Sequence, residues 1–367
     1  MLDDPPPARP GALSGITVLE LGGRGAVPFV SMMLADLGAT VVRVRRPGEA
    51  GASRLVTDRG KQLLDADLSD PAGRTLAADL AGRSDVLVEG FRPGTAERLG
   101  LGPDVLLAAH RALVYARMTG WGGQGPLART AGHDINFVGL SGALHATGRP
   151  DQPPPPPLSL LGDYGAGALS LMTGILAALL HRQRGGPGQV VEASVLDGSV
   201  TALSGVLGRR AAGAWSDRRG GNEIDGSAPY YTTYECADGR YLAVGALERR
   251  RQDTLLDALG FAPDDPVRAD FRDPPRHEAA RRTVANRLRT RTRDEWADAF
   301  SELDACVTPV LSLEEAVVHP HNVARGVFLA GADPVQPAPS PRFSATPGGP
   351  VAYGAGRSRG PDGRDQR

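Results

Sequence analysis

The chain has 367 residues, 41 of them Lys or Arg and 42 Asp or Glu, for a formal net charge of −1. That balance sets up no global field to draw nucleic acid or anionic lipid, and 41% hydrophobic with 23% charged residues is ordinary for a globular protein. The length exceeds what one small core needs and points to a large domain with a smaller one.

The opening residues, MLDDPPPARPG, are acidic and proline-rich with neither a basic region nor an apolar core. No signal peptide is expected there, and residues 1–13 read as disordered. Residues 16–21 are a short apolar run ending in GGRGAVP; a helix through Met32, Met33 and Leu37 follows, then a strand over 40–44. Strand, glycine loop, helix, strand opens a doubly wound α/β fold. Gly22, Gly23 and Gly25 do not complete the dinucleotide fingerprint, and Arg43, Arg45 and Arg46 stand where an acidic residue would hold a nicotinamide cofactor's ribose. The pattern argues against NAD and for an extra phosphate.

A strand over 63–68, a helix over 71–81, a strand over 86–89 ending in GFRPG, a helix over 96–110 and a strand over 113–118 continue the alternation. Helix-sized spacers between short apolar runs predict a mostly parallel sheet. Helices are expected from about His133 and about Gly165, then a strand over 189–193 and a helix from Leu196. The apolar stretch 164–180 falls short of the ~20 residues that span a bilayer and reads as a buried helix. Residues 214–226, AWSDRRGGNEIDG, have the composition of a linker. Beyond them PYYTTYECADGRYLAVGAL alternates aromatic and β-branched residues around a DG turn, which predicts a hairpin. Helices at 250–259, 276–289 and 293–302 complete a small α+β domain. The expected division is a large α/β domain over 14–213 and 327–350, a linker at 214–226, a small domain over 227–326 and a disordered tail at 351–367. Cys236 and Cys306 are the only cysteines and fit a reducing, cytoplasmic setting.

The residue types that carry chemistry cluster in two segments. AGHDINF sets His133 and Asp134 after Gly132 at the start of an apolar helix. Helix N-termini offer N–H donors and a positive dipole end to a developing anion, and imidazole is a base that works near neutral pH. A base beside an anion site is what removing a proton next to a carbonyl requires. Alone, His133 reads equally as a helix-end residue that bonds locally. Asp163, among the glycines of LGDYGAG, reads evenly as an N-cap or as a second working carboxylate. A His and an Asp on opposite sides of one carbon could take a proton from one face and deliver one to the other. Glu248, ahead of Arg249, Arg250 and Arg251, reads alone as a solvated helix start. Arg46, Arg92 and Arg98 follow successive strands, where α/β folds place ligands, and their planar forks suit a ligand with several phosphates. No zinc spacing and no P-loop occur, and Ser159 and Ser199 lack a nucleophile-elbow context, which sets metal and hydrolase chemistry aside.

Taken together, GITVLELGG, MMLADLGATVVRVRRP, EGFRPGTAERLGLGP, YARMTGWGGQGP, AGHDINF, LGDYGAG, GQVVEASVLDGS and APYYTTYECADGRYLAVGALE resemble the type III CoA-transferase superfamily and, within it, the α-methylacyl-CoA racemases. The resemblance runs from about residue 13 to 343. It implies that His133 and Asp163 are the two catalytic bases and that Glu248 completes the site from the small domain of a partner subunit in an interlocked homodimer. It further implies CoA contacts at Arg46, at Ala66, Asp67, Leu68 and Ser69, at Gly90, Phe91 and Arg92, at Arg98, and along Gly132, Asp134, Ile135, Asn136 and Phe137. By the same route the C-terminal segment returns to the large domain. No cofactor is implied, because CoA is part of the substrate. The chain departs from the racemase pattern at Arg24, Ser69 and Thr232 and in the arginines after Glu248, which leaves the acyl group open. Two other activities fit the resemblance less well: a CoA-transferase that uses Asp163 as nucleophile through an acyl-aspartyl anhydride, and a CoA-binding protein without turnover.

Overall fold

The computed structural model describes residues 10–48, 55–332 and 334–348. They fall into two compact units. The first holds the described residues up to Ser141, Pro156–Ala202 and those from Arg325 onward; the second holds Gly142–Pro155 and Leu203–Ala324.

The first unit is a doubly wound α/β layer. In chain order it runs β1 (Thr17–Leu21), α1 (Ala26–Asp36), β2 (Thr40–Arg45), β3 (Lys61–Asp65), α2 (Pro71–Ala81), β4 (Val86–Glu89), α3 (Thr95–Arg98), α4 (Pro103–Ala109), β5 (Val114–Thr119) and α5 (Asp134–Ser141). A π-helical stretch, Leu160–Ala168, then runs into α6 (Leu169–Gln183), followed by β6 (Val190–Ser194) and α7 (Val195–Ala202). The six strands are parallel in the order β3-β2-β1-β4-β5-β6, so the chain reverses direction across the sheet between β1 and β4. Helices cover both faces, which is why β1 and β4 read as near-continuous apolar runs. Side chains still alternate: Val18, Val41, Val86, Val88 and Val114 pack under α1 and α6, while Leu19, Leu21, Leu87 and Tyr115 pack under α2 and α4.

Some boundaries differ from the sequence reading, each for a local reason. Residues 1–9 and 351–367 lie outside the described residues, but 10–13 are packed rather than disordered: the Leu13 N–H donates to the Leu37 carbonyl at 2.8 Å. The strand expected over 63–68 is Lys61–Asp65. It stops there because Asp67 Oδ1 accepts the Ser69 N–H at 2.8 Å and its hydroxyl at 2.7 Å, closing an Asx turn. The helix expected over 96–110 is two, because Gly100 takes φ +72° after α3 and Pro103 opens α4. The helical run Leu160–Gln183 spans 24 residues, more than the stretch expected, because π-helical turns extend it toward the N-terminus. By length and composition it could cross a membrane, yet Leu171, Met172, Ile175, Ala178 and Leu179 lie in the α/β core.

Buried charges tie the unit together. Glu20 on β1 accepts from Lys61 Nζ at 2.6 Å, and Lys61, the one lysine in the chain, also donates to the Pro28 carbonyl in α1 at 2.8 Å. Arg59 donates through Nε to Asp36 at 3.0 Å and through Nη1 to the Pro337 carbonyl at 2.6 Å, which fastens the C-terminal segment to the end of α1.

The second unit comprises α8 (Ser204–Ala211), β7 (Tyr231–Glu235), β8 (Tyr241–Gly245), α9 (Arg249–Ala258), α10 (Val267–Asp270), α11 (His277–Leu288), α12 (Arg293–Phe300), β9 (Val307–Pro309), α13 (Leu313–Val318) and α14 (Pro320–Arg325), whose last residue belongs to the first. The helix expected from Leu196 is therefore α7 and α8, with Leu203 between them. The hairpin forms as its DG turn predicts, and β9 adds an antiparallel third strand in the order β7-β8-β9. Gly142–Pro155, which the sequence reading kept with the large domain, packs here: His145 Nε2 bonds the Asp217 carbonyl at 2.9 Å. The stretch 214–226 is a tied loop, with Asp225 Oδ2 accepting the N–H groups of Gly220, Gly221 and Asn222. A Thr292–Glu295 capping box starts α12, whose Trp296 fills the core and donates to the Leu288 carbonyl at 2.8 Å.

Candidate active site

The segment after β5 is built to deliver a helix start. Leu196 N–H donates to the Gly120 carbonyl at 3.1 Å and Gly123 N–H to Glu192 Oε1 at 2.6 Å, pinning the segment beside β6. Gly120 and Gly132 flank the Phe137 ring so closely that a Cβ on either would overlap it, and Trp121 meets the ring edge-on at 4.6 Å. Phe137 is thus an anchor in the core. The turn leaves His133 as the residue before α5. Its N–H donates to Asn136 Oδ1 at 3.0 Å, its carbonyl accepts from Asn136 N–H at 2.8 Å, and its side chain is exposed. The N–H groups of Asp134 and Ile135 open the helix, where no carbonyl of the same helix can take them.

Asp163 is not an N-cap. It lies inside the π-helical stretch, where Tyr164 N–H reaches the Ser159 carbonyl five residues back at 3.1 Å. Such widened turns recur at functional sites. The Asp163 N–H donates to Asp134 Oδ1 at 2.7 Å, and Asp134 is only 7% exposed. A Cβ on Gly162 would overlap that same oxygen. On the other side lies Gly25, the left-handed (φ +60°) residue before α1, where a Cβ would stand 2.7 Å from Asp163 Oδ2. Tyr164 stacks on Phe29 of α1 at 4.7 Å. Asp163 is therefore wedged between the starts of α1 and α5.

This packing sets its protonation. Burial, and next the Asp134 carboxylate, push Asp163 up to about 6, while a hydrogen bond from Ser159 and the charge of His133 act the other way. The same burial, with Asp163 and Asp134, raises the Tyr164 hydroxyl.

The strand-end residues gather along the carboxyl edge of the sheet. Arg46 follows β2 and Ala66–Ser69 follow β3; the hydrogen bonds from the Ser69 amide and hydroxyl, with a lesser contribution from the charge of Arg46, hold Asp67 below the usual carboxylate range. Ala66 and Leu68 pack into the core under α2, so their backbones are what they can offer. Gly90, Phe91 and Arg92 follow β4, and Arg92 and Arg98 are exposed. Phe91 and Gly90 lie against Gly22 and Gly23 at the switch point. Asp134 turns Oδ1 to the Asp163 amide, which ties the start of α5 to the π-helical stretch.

Residues 13–356 match the family model CoA-transferase family III. The chain belongs to that family. Alpha-methylacyl-CoA racemase of Mus musculus is 42% identical over 342 residues, covering 93% of this chain and 88% of the relative. The protein of the same name in Homo sapiens is 43% identical over 339 residues, covering 92% and 87%. A crystal structure of a CAIB/BAIF family protein from Brucella suis superposes with a TM-score of 0.78 at 25% identity, covering 98% of this chain and 97% of that one.

Glu248, the third residue singled out in this family member, lies in the second unit as the residue before α9. Two of the three arginines behind it are engaged locally: Arg250 pairs with Asp304 at 3.1 Å, and Arg251 pairs with the same carboxylate. Sequence reading missed the side-chain duty of Asp134 and the part played by Gly25 and Gly162. The adjacency of His133 and Asp134 was visible, but which way each side chain turns depends on a partner 29 residues away.

Proposed function

We propose that this member of CoA-transferase family III is a racemase that interconverts (R)- and (S)-2-methylacyl-CoA thioesters by proton transfer at the α-carbon. The observation that carries the reading is the hydrogen bond from the Asp163 amide to Asp134, the neighbour of His133, which ties the Asp163 turn to the start of α5. The thioester carbonyl acidifies the α-hydrogen. One of the pair removes it from one face, the amides opening α5 bond the enolate oxygen, and the other partner returns a proton to the opposite face. A carboxyl group near 6 suits both halves of that cycle, since it holds a proton and gives it up close to neutral pH.

On this reading Arg46, Arg92 and Arg98 hold the phosphates of CoA, CoA is part of the substrate and no further cofactor takes part. Glu248 acts from the partner subunit of a homodimer, and the unpaired cysteines, Cys236 and Cys306, fit a cytoplasmic protein. The rival within the family is CoA transfer through an anhydride on Asp163. Incubation with a 2-methylacyl-CoA and a free carboxylate acceptor separates the two. Loss of optical purity with CoA retained on its own acyl group is the expected result; CoA exchange without loss of the α-hydrogen would overturn the reading. In the same assay His133→Ala and Asp163→Ala abolish racemisation while binding of CoA persists.

A further inference from the structure

A charged cluster beneath the β4–α3 connection takes no part in the acid–base pair. Glu89 ends β4 and is 1% exposed; Oε2 accepts the Phe91 N–H at 2.7 Å and Oε1 accepts Arg117 Nε at 2.6 Å. Arg117 lies directly across on β5. Its Nη2 reaches Glu97 Oε1 on α3 at 2.6 Å, and its guanidinium lies 5.6 Å from the centre of the Tyr115 ring. The Tyr115 hydroxyl donates to the Leu101 carbonyl at 3.1 Å. Residues 90–101 are thereby tied at their start, middle and end by side chains from two neighbouring strands. The same segment carries Arg92 and Arg98. Arg98 Nη2 donates only to Thr95 Oγ1 at 2.9 Å, and among the described residues no carboxylate pairs with either arginine. Burial drives Glu89 toward its neutral form, while the Phe91 amide and Arg117 keep the charge that holds the loop.

We propose that Arg117, bridging Glu89 and Glu97, is a positioning residue that presets residues 90–98 so that Arg92 and Arg98 meet the phosphates of an acyl-CoA. The proposal rests on the acyl-CoA reading above. A loop ordered before binding keeps affinity that a loose one loses on ordering its arginines. Phosphate contacts act alike in ground and transition states, so the clamp governs KM and leaves kcat alone.

The test compares a 2-methylacyl-CoA with the matching acyl-pantetheine thioester, which lacks the nucleotide, on the full-length protein. Arg117→Met strands Glu89 in the core, so Arg117→Lys and Glu97→Gln carry the test as well; the Glu97 side chain is 43% exposed and its loss leaves the core intact. A lysine reaches one carboxylate where the arginine fork reaches two. The expected result for both is a rise of about tenfold in KM for acyl-CoA, kcat within about twofold, and an unchanged KM for acyl-pantetheine. A similar rise on both thioesters, a fall in kcat at constant KM, or no change at all overturns the positioning role. If the unaltered protein treats the two thioesters alike, the phosphate reading itself fails and takes the proposal with it.

Discussion

At the scale of single residues, Asp163 is where stability and chemistry conflict. Its carboxyl sits at about 6 against an ordinary 3.8, so between those values the folded chain binds a proton that the unfolded chain has released. Stability therefore falls as pH rises through that window and stays lower at neutral pH. Asp163→Asn removes the burdened charge. At pH 7 it should raise Tm, by a gain on the order of 1 kcal/mol once partial exposure is allowed for, while racemisation disappears. Below pH 4 the two proteins should melt together. Calorimetry across pH checks this, and a variant that melts lower at pH 7 would show that the carboxylate is stabilised by its surroundings. His133 was legible as a helix-start histidine because the glycine before it and the apolar run after it are local signals. Asp163 was legible as a carboxylate among glycines but not as a π-helical residue, since a widened turn follows from packing against α1 and α5 rather than from residue type.

Among elements, the π-helical stretch and α5 act as one piece, joined where Gly162 lets Asp134 reach the Asp163 amide. Gly162→Ala forces the Asp134 carboxylate aside, with Val138 behind it 2.7 Å from the added methyl. The expected outcome is a drop in kcat of at least about tenfold with far-UV circular dichroism unchanged. Full activity in the alanine variant would mean that the Asp134–Asp163 link has no catalytic role. The parallel sheet was readable because helix-length spacers separate apolar runs of strand length. The break between α3 and α4 was written in Gly100 and Pro103, punctuation outweighed by the helical pattern around it. Arg117–Glu97 and Lys61–Glu20 were not readable, because the first joins β5 to α3 and the second reaches from β3 to β1 across β2, pairings that exist only once the sheet is assembled.

For the molecule as a whole, the assignment of Glu248 to a partner's site makes a definite statement about assembly. A homodimer should have a mass in solution twice the 38.3 kDa of the chain. Mixing His133→Ala with Glu248→Ala, each inactive alone, creates dimers in which one site of two has both residues intact. Co-refolding the pair should then restore roughly a quarter of the unaltered activity. No recovery in a mixture shown to contain the mixed dimer would place Glu248 in the same chain's site, and activity of Glu248→Ala on its own would place it outside catalysis. This level of organisation was legible only through family resemblance, since an interface between copies leaves no local periodicity to read.

In the proposed reaction one carbon of a bound thioester trades its hydrogen with two side chains on opposite sides. Incubation of pure (R)- and pure (S)-2-methylacyl-CoA in D2O, followed by mass spectrometry and chiral analysis, tests it most directly. Deuterium should enter the α-position from either starting enantiomer, and both should converge on one mixture. Retention of the α-hydrogen and of optical purity by the active, CoA-binding protein would contradict the account.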